Sequence, residues 1–161
     1  MVAKLTDLGF SENTILETIV STYNQDGTPN AAPMGTVMQD QKTILIAIFN
    51  LSQTSCNLKI SKCAVINLTS KIEVFYKTAF KEANPNRTPP QEWFEKAETV
   101  NAPKLQLASA TIDVSVAAMA PIGTEKTKFT CNIEQISAPK MYPDYAALQS
   151  LSFGRLCRLP S

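Results

Sequence analysis

The segment Ile15-Leu-Glu-Thr-Ile-Val-Ser-Thr-Tyr-Asn-Gln-Asp-Gly-Thr-Pro-Asn-Ala-Ala-Pro-Met-Gly-Thr36 decides the fold. Its first nine residues alternate between two faces and are rich in β-branched side chains, which predicts a strand. Residues 24–30 then bring Asn, Asp, Gly and Pro together, and Asp26-Gly27 is the strongest hairpin signal in the chain. We therefore expect a hairpin whose second strand runs back antiparallel over about residues 31–38.

Downstream of this hairpin, four more segments have the apolar pattern of strands. They are residues 43–49, 62–69, 111–117 and 128–137. A short helix is predicted at residues 52–61, with Ser52 as its N-cap. About six strands in antiparallel succession, interrupted by short helices, favour a mainly β (α+β) domain built as a small barrel.

Helical patterns interrupt and end this succession of strands. Residues 71–82 place apolar side chains on one face of a helix, and Pro90 with residues 91–98 predicts a second short helix. We interpret residues 71–103 as a helical insert between barrel strands. A C-terminal helix is expected at about residues 144–155, and the whole chain, 1–161, as one domain.

The composition excludes several kinds of partner. Fifteen basic and fourteen acidic residues give a net charge of +1, so neither nucleic acid nor an anionic membrane surface is indicated. The longest apolar run, residues 44–49, is far too short to span a bilayer, and the first residues lack the layout of a signal peptide. We expect a cytoplasmic protein with no membrane and no nucleic-acid partner.

Histidine is absent from the chain, and this removes the commonest general base and the commonest metal ligand. The four cysteines form no C-x-x-C pair, so a zinc site or a redox pair is not indicated, and buried free thiols are expected. We predict no metal site and no catalytic side chain. Any chemistry is expected to come from a bound cofactor.

Two short stretches carry the signal for such a cofactor: Asn30-Ala-Ala-Pro-Met-Gly-Thr36 and Ser52-Gln-Thr-Ser-Cys-Asn57, followed by Asn67. The second stretch sets hydroxyl and amide side chains at a helix N-terminus, where free N–H groups favour a phosphate. Each stretch also has a purely structural interpretation. The first is then a hairpin strand with a proline bend, Ser52 a helix cap and Asn67 a partner for backbone groups.

In this order and spacing, the stretches resemble the FMN-binding split barrels of the flavin reductase kind. Within that group they are similar to a small, largely archaeal family of uncharacterised function. The resemblance is carried by Glu17-Thr-Ile-Val-Ser-Thr22 with the hairpin to Gly35, by Ser52-x-Thr54-x-x-Asn57-Leu58, and by Val65-Ile-Asn67. It implies a six-stranded antiparallel split β-barrel of Greek-key type.

The resemblance also implies a cofactor, FMN, and a site for it. The flavin ring would lie against residues 31–36, Ser52, Thr54 and Asn57 would contact the phosphate, and Asn67 the ribityl chain or its supporting backbone. The cofactor-binding residues expected in the first stretch are Asn30, Ala32, Pro33, Met34 and Gly35. Relatives of this kind are homodimers with the flavin near the interface, so Phe75, Tyr76, Trp93 and Phe94 are candidates for that surface or, equally, for the monomer's core.

One departure from the family pattern concerns charge. Members often carry a basic residue on the strand leading into the Ser-x-Thr turn, whereas Ala47-Ile-Phe-Asn-Leu51 has none. Lys59, Lys62, Arg87 or a second subunit could supply the missing cation. The function implied is a flavin reductase-like oxidoreductase using NAD(P)H or another donor; the alternative is a non-enzymatic carrier of FMN or of a deazaflavin. An OB-like barrel for single-stranded nucleic acid is disfavoured by the charge.

Overall fold

Six strands of the protein close on themselves into an antiparallel barrel. The computed structural model describes residues 3–138, and within that range the strands and α-helices fall into one order. They are β1 (Ile15–Tyr23), β2 (Pro29–Asp40), β3 (Thr43–Phe49), α1 (Gln53–Ser61), β4 (Cys63–Leu68), α2 (Ile72–Ala79), β5 (Phe94–Lys96), β6 (Pro103–Leu105), β7 (Ala110–Ile122) and β8 (Lys126–Ser137). The C-terminal helix predicted at residues 144–155 lies outside the described residues.

The order of strands around the barrel is β1-β2-β3-β8-β7-β4, and β4 pairs with β1 to close it. Every pairing is antiparallel. The chain crosses from β3 to β4 through α1, which gives the Greek-key order. The predicted fold class, a mainly β six-stranded antiparallel barrel with short helices, is therefore confirmed.

Apolar side chains from the barrel strands fill the interior. The largest of them are fully buried, and they include Ile44, Ile46, Ile48, Ile66 and Phe129. Burying a side chain of this size contributes about 1.5–3 kcal/mol. Inward positions alternate with outward ones along β3, so Ile44, Ile46 and Ile48 share its interior face.

Different segments close the two ends of the barrel. Where β1 begins, a 3-10 helix at Leu5–Leu8 brings Leu5, Leu8 and Phe10 into the interior cluster. Gly9 ends that turn at φ 95, in the left-handed region that glycine adopts without strain. At the opposite end, where β1 ends and β3 leads into the helix, α1 lies against the strands and contributes Leu58.

The pairing of β2 leaves part of one edge open. This strand pairs with β1 along Pro29–Val37, but with β3 only from Thr36 onwards. Residues 29–35 thus have a partner strand on one side alone within the described part of the chain. The barrel splits here, beside α1.

The insert differs in part from the prediction. α2 forms at Ile72–Ala79 as expected, but the second helix predicted at residues 91–98 is wrong. A 3-10 turn at Gln91–Trp93 leads instead into β5, which pairs with β6. An isolated helix of about eight residues is marginal, whereas β5 gains ladder hydrogen bonds and buries Phe94 against α2 and β6.

Of the four aromatic residues considered for a subunit surface, two belong to the monomer's own core. Phe75 and Phe94 are buried in a cluster with Ile19 on the outer face of β1. Trp93 is half-buried against the same cluster. Tyr76 alone of the four is well exposed, and its ring packs against that of Phe80 at 5.2 Å between centroids.

Candidate functional site

A buried polar network joins the hairpin to α1 at one end of the barrel. Thr22 lies at its centre, and its Oγ1 accepts hydrogen bonds from Asn57 Nδ2 at 2.9 Å and from Asn30 Nδ2 at 3.3 Å. Asn30 also donates to Thr54 Oγ1 at 3.1 Å. The structure therefore brings together three residues predicted for the site, Asn30, Thr54 and Asn57, around a threonine that was not among the predicted cofactor-binding residues.

Further hydrogen bonds hold Asn57 in place. Its Nδ2 donates to Asn24 Oδ1 at 2.9 Å, and its Oδ1 accepts from Gln53 Nε2 at 2.9 Å. Asn57 is 3% exposed and Thr22 is fully buried. Buried amide groups are costly unless satisfied, and here the partners come from both the hairpin and α1. The network thus fixes α1 on the end of β1.

The first turn of α1 has unused hydrogen-bonding capacity. Ser52 is the N-cap, and its Oγ accepts from the N–H of Ser55 at 3.1 Å, which is the structural role allowed for it. By helix geometry the N–H groups of Gln53 and Thr54 have no partner within the helix. The hydroxyl of Ser55 is fully buried and has no hydrogen-bond partner among the described residues. This turn can accept an anion through N–H groups and the helix dipole.

The expected cofactor residues of β2 lie on both faces of that strand. Asn30, Ala32 and Met34 lie on the same face as Thr22, toward the barrel interior, whereas Pro33 and Gly35 lie on the outer face. All five residues lie in the part of β2 that has a partner strand on one side only. A Cβ built on Gly35 would lie 2.9 Å from Ile15 Cγ2, so a larger residue there would require the Ile15 side chain to shift.

Backbone groups of β2 point toward this open edge. The N–H of Asn24 donates to the carbonyl of Thr28 at 2.9 Å, and hydrogen-bonded pairs then alternate along the hairpin. By this alternation the backbone groups of Ala31 and Gly35, and the carbonyls of Pro29 and Pro33, face away from β1. The prolines occupy positions that need no N–H for the β1 ladder, as expected of a strand with an open edge. The edge can therefore offer both donors and acceptors to a planar polar ring.

Asn67 lies elsewhere and has a structural role. It is fully buried, and its Nδ2 donates to the carbonyl of Ile19 and to Ser21 Oγ, both at 2.8 Å. Its Oδ1 accepts the N–H of Leu105 at 2.8 Å. The side chain thus ties β4 to β1 and β6. This geometry matches the interpretation of Asn67 as a partner for backbone groups.

Three of the candidate cations point in different directions. Lys59 Nζ lies 3.4 Å from Asn50 Oδ1, on the loop before α1, whereas Lys62 Nζ lies 3.7 Å from Met119 Sδ. Arg87 is remote from this loop in sequence and is paired with Glu82 at 3.1 Å. The chain therefore brings one of these three cations to the N-terminal side of α1.

Acid–base and metal chemistry have no obvious support near the network. No group of three or more His, Cys, Asp or Glu residues able to hold a metal occurs within residues 3–138. The carboxylate nearest in sequence, Asp26 in the hairpin turn, accepts the hydroxyl and the N–H of Thr28, and these bonds lower its pKa. It is fully exposed and holds the turn rather than reaching the network. The network can bind and orient a ligand.

Most of the chain matches a known protein family. The model of a family described as protein of unknown function (DUF447), N-terminal domain, matches residues 16–137. That range covers all of the barrel strands except the first residue of β1. The chain belongs to the DUF447 family. No curated protein matches it significantly in sequence.

Solved structures place the fold of this DUF447 domain among the flavin reductase-like split barrels. An FMN-bound DUF447 protein of Methanosarcina mazei superposes with a TM-score of 0.68 at 20% identity, covering 95% of this chain and 79% of that one. Nitrilotriacetate monooxygenase component B from Bacillus cereus gives 0.66 at 15% identity, covering 89% and 79%. The styrene monooxygenase flavin reductase of Pseudomonas putida gives 0.61 at 15% identity, covering 77% and 80%.

No helix in the described part of this DUF447 chain has both the length and the apolar character required to cross a membrane.

Proposed function

We propose that this protein binds FMN and acts as a flavin reductase-like oxidoreductase. The observation that carries the proposal is the junction of two complementary surfaces, the open edge of β2 and the first turn of α1, by the hydrogen bond from Asn30 to Thr54. One surface suits a planar ring with polar edges, and the other suits a phosphate. The FMN-bound family member with the same fold supports this choice of cofactor.

The residues present fit FMN at both of its ends. The orphaned hydroxyl of Ser55 and the free N–H groups at the start of α1 match the acceptor oxygens of a phosphate. Backbone donors and acceptors along residues 31–35 match the carbonyl and imide groups of the isoalloxazine edge. Small side chains at Ala32 and Gly35 leave room for a flat ring beside the strand.

The protein's contribution to the reaction is binding, orientation and exclusion of water. When bound, FMN supplies the capacity to accept hydride and pass electrons onward. Asn30 and Thr54 align the strand edge with the helix N-terminus, so a bound flavin would be held at a fixed angle. Thr22 fixes Asn30 directly and fixes α1 through Asn57, and this preorganisation reduces the ordering cost of binding.

A homodimer is part of the proposal, and an exposed apolar patch beside the phosphate loop suits it. We define the loop patch as Phe49, Leu51 and Ile122; Phe49 is 56% exposed and Leu51 99%. β8 joins Phe49 and Ile122, because Lys126 pairs with both. Light scattering should show a dimer, and Leu51→Asp with Ile122→Asp should convert it to a monomer. A wild-type monomer at all concentrations would contradict this part.

The cytoplasmic location expected from the sequence stays a prediction.

Absorption spectroscopy tests the cofactor and the activity together. The protein reconstituted with FMN should show flavin bands that shift on binding, and NADH or NADPH should bleach them under anaerobic conditions. Binding without reduction by either nucleotide favours the alternative, a carrier of FMN or of a deazaflavin. No change in the absorbance or fluorescence of added FMN would overturn the proposal.

A substitution in α1 tests the phosphate assignment separately. Thr54→Ala should lower FMN affinity roughly tenfold, because it removes a hydroxyl from the first turn and releases Asn30. Thr36→Val is the matched control, since Thr36 is also buried but donates to the carbonyl of Leu16 within the hairpin. Full FMN affinity in Thr54→Ala would remove the phosphate assignment and leave the fold unaffected.

A further inference from the structure

A phosphate at the start of α1 needs a cation that the preceding strand does not provide. The phosphate of FMN carries nearly two negative charges at neutral pH, and charge-assisted hydrogen bonds are roughly twice as strong as neutral ones. Residues 47–51, which lead into the helix, contain no basic residue, and the chain's net charge is only +1. The charge must therefore come from another element that reaches this loop.

Lys59 reaches the loop from the exposed face of α1. Ser52, Cys56 and Lys59 are spaced four and three residues apart, so they follow one side of the helix. Side chains on a helix lean toward its N-terminus. Lys59 follows that direction, and its Nζ ends 3.4 Å from Asn50 Oδ1, two residues before the N-cap.

Asn50 is itself held rigidly by the turn between β7 and β8. Its N–H donates to the carbonyl of Glu125 at 2.8 Å, and its Oδ1 accepts from Thr127 Oγ1 at 2.6 Å. Its Nδ2 donates to the carbonyl of Thr124 at 3.4 Å. Because these bonds anchor the amide, the oxygen that receives Lys59 has a fixed position beside the helix N-terminus.

The other cations near α1 are engaged elsewhere. Lys62 Nζ lies against Met119 Sδ, and Lys126 Nζ lies over the ring of Phe49 at 4.5 Å from its centroid. Within the described residues no carboxylate forms an ion pair with Lys59, so its charge is not neutralised. Lys59 therefore combines the right direction with an unused charge.

We propose that Lys59, positioned by Asn50, is the cation of the phosphate subsite and supplies the charge that the strand before α1 lacks. This inference rests on the proposed binding of FMN and adds the residue that selects the phosphorylated flavin. Riboflavin has the same ring but no phosphate. Lys59 should therefore contribute to FMN affinity and leave riboflavin affinity unchanged.

Paired titrations with FMN and riboflavin test this. Lys59→Gln should weaken FMN binding roughly tenfold and reduce its dependence on ionic strength, while riboflavin affinity stays within about twofold of wild type. Lys62→Gln and Lys126→Gln are matched controls that should retain wild-type FMN affinity. Adding Asn50→Lys to Lys59→Gln should restore the preference for FMN, since it places a cation at the same point of the loop.

The outcomes separate this inference from the proposal on which it rests. If Lys59→Gln behaves like Lys62→Gln, or loses FMN and riboflavin affinity equally, Lys59 is not the phosphate cation. A loss of FMN preference in Lys126→Gln alone also overturns the inference and assigns the charge to Lys126. If wild-type protein binds neither flavin, the proposed function fails first. Circular dichroism of each variant excludes unfolding as the cause.

Discussion

The two ends of the barrel are closed by opposite kinds of side chain. At the end where β1 begins, Leu5, Leu8 and Phe10 complete the apolar interior. At the α1 end the buried residues are mainly polar, with Thr22 and Asn57 at the centre of the network. Apolar side chains stabilise the end of a barrel through burial alone, whereas buried polar side chains need a hydrogen-bond partner for each donor and acceptor. Under the proposed function, the first end serves stability and the second binds the ligand.

The largest expected effect comes from the apolar end. Leu8→Ala should lower the free energy of unfolding by about 2–5 kcal/mol, because it leaves a cavity among fully buried side chains. Urea unfolding monitored by circular dichroism measures the loss. The matched control is Ile60→Ala, at a residue 61% exposed, which should change stability by less than about 0.5 kcal/mol. Equal effects would contradict the assignment of this end to stability.

A substitution at Asn67 tests whether every buried polar residue takes part in ligand binding. Asn67→Ala should cost about 1–3 kcal/mol, because the N–H of Leu105 is left buried without its acceptor. FMN affinity of the folded fraction should not change. Asn132→Ala, on an exposed position of β8, should cost little by the same unfolding measurement. If Asn67→Ala loses FMN affinity without losing stability, Asn67 belongs to the site after all.

The apolar interior also predicts a pH dependence. Burial raises the pKa of Cys131 from 9.0 to about 12, so the folded protein keeps this thiol protonated where the unfolded chain ionises it. Below pH 9 the group has no effect. Above it the unfolded state gains stability, and the free energy of unfolding falls by up to about 1.4 kcal/mol per pH unit.

Unfolding titrations between pH 9 and 10 on wild type and Cys131→Ala measure this contribution to the slope. The variant should show a shallower decline with pH than wild type, whatever its stability at neutral pH. Identical slopes would show that Cys131 does not hold its proton in the folded state.

At the polar end, Thr22→Val should produce a smaller loss of stability and a larger loss of function. The substitution preserves volume but removes the acceptor shared by Asn30 and Asn57, at a cost of about 1–2 kcal/mol. Misalignment of α1 with β2 should weaken FMN binding as well. Thermal unfolding and FMN titration together separate the two effects. Unaltered FMN affinity would mean that the network does not shape the site.

The smallest change is expected at Ser55. Its buried hydroxyl has no partner within residues 3–138, so Ser55→Ala should leave stability unchanged or raise it by up to about 1 kcal/mol, while FMN affinity falls. Ser61→Ala is the contrasting variant, because Ser61 Oγ donates to the carbonyl of Asn57 at 2.8 Å and its removal should slightly destabilise the helix. A clear loss of stability in Ser55→Ala would show that the hydroxyl is satisfied within the protein.

Strands and hairpin were predictable from the sequence, since alternation along residues 15–23 and the Asp26-Gly27 turn act locally. The 3-10 helix at Leu5–Leu8 was not predicted, because three apolar side chains acquire a common interior only after the barrel closes. β5 was misread as a helix for a related reason. Phe94 is buried by packing against α2 and β6, and a local sequence pattern does not show these contacts.

The proximity of three candidate site residues was predictable, but their hydrogen bonds were not, and their binding role stays a prediction. Asn30, Thr54 and Asn57 meet as expected, since hairpin register and helix spacing bring them together. Thr22 was missed because a threonine in a strand is already explained by β-propensity. The choice between Lys59 and Lys62 as the phosphate cation depends on side-chain direction and on Asn50. Neither can be inferred from the spacing of residues in the sequence.

The prolines of β2 have a consequence for the protein before it meets a cofactor. An exposed strand edge with unpaired N–H groups is a template on which another chain can add, and from which aggregates grow. By register, Pro29 and Pro33 hold two of the four positions that face the open edge, so half of the donors that an incoming strand would need are missing. The same edge that remains available to a small planar molecule is thereby a poor seed for intermolecular β-sheet.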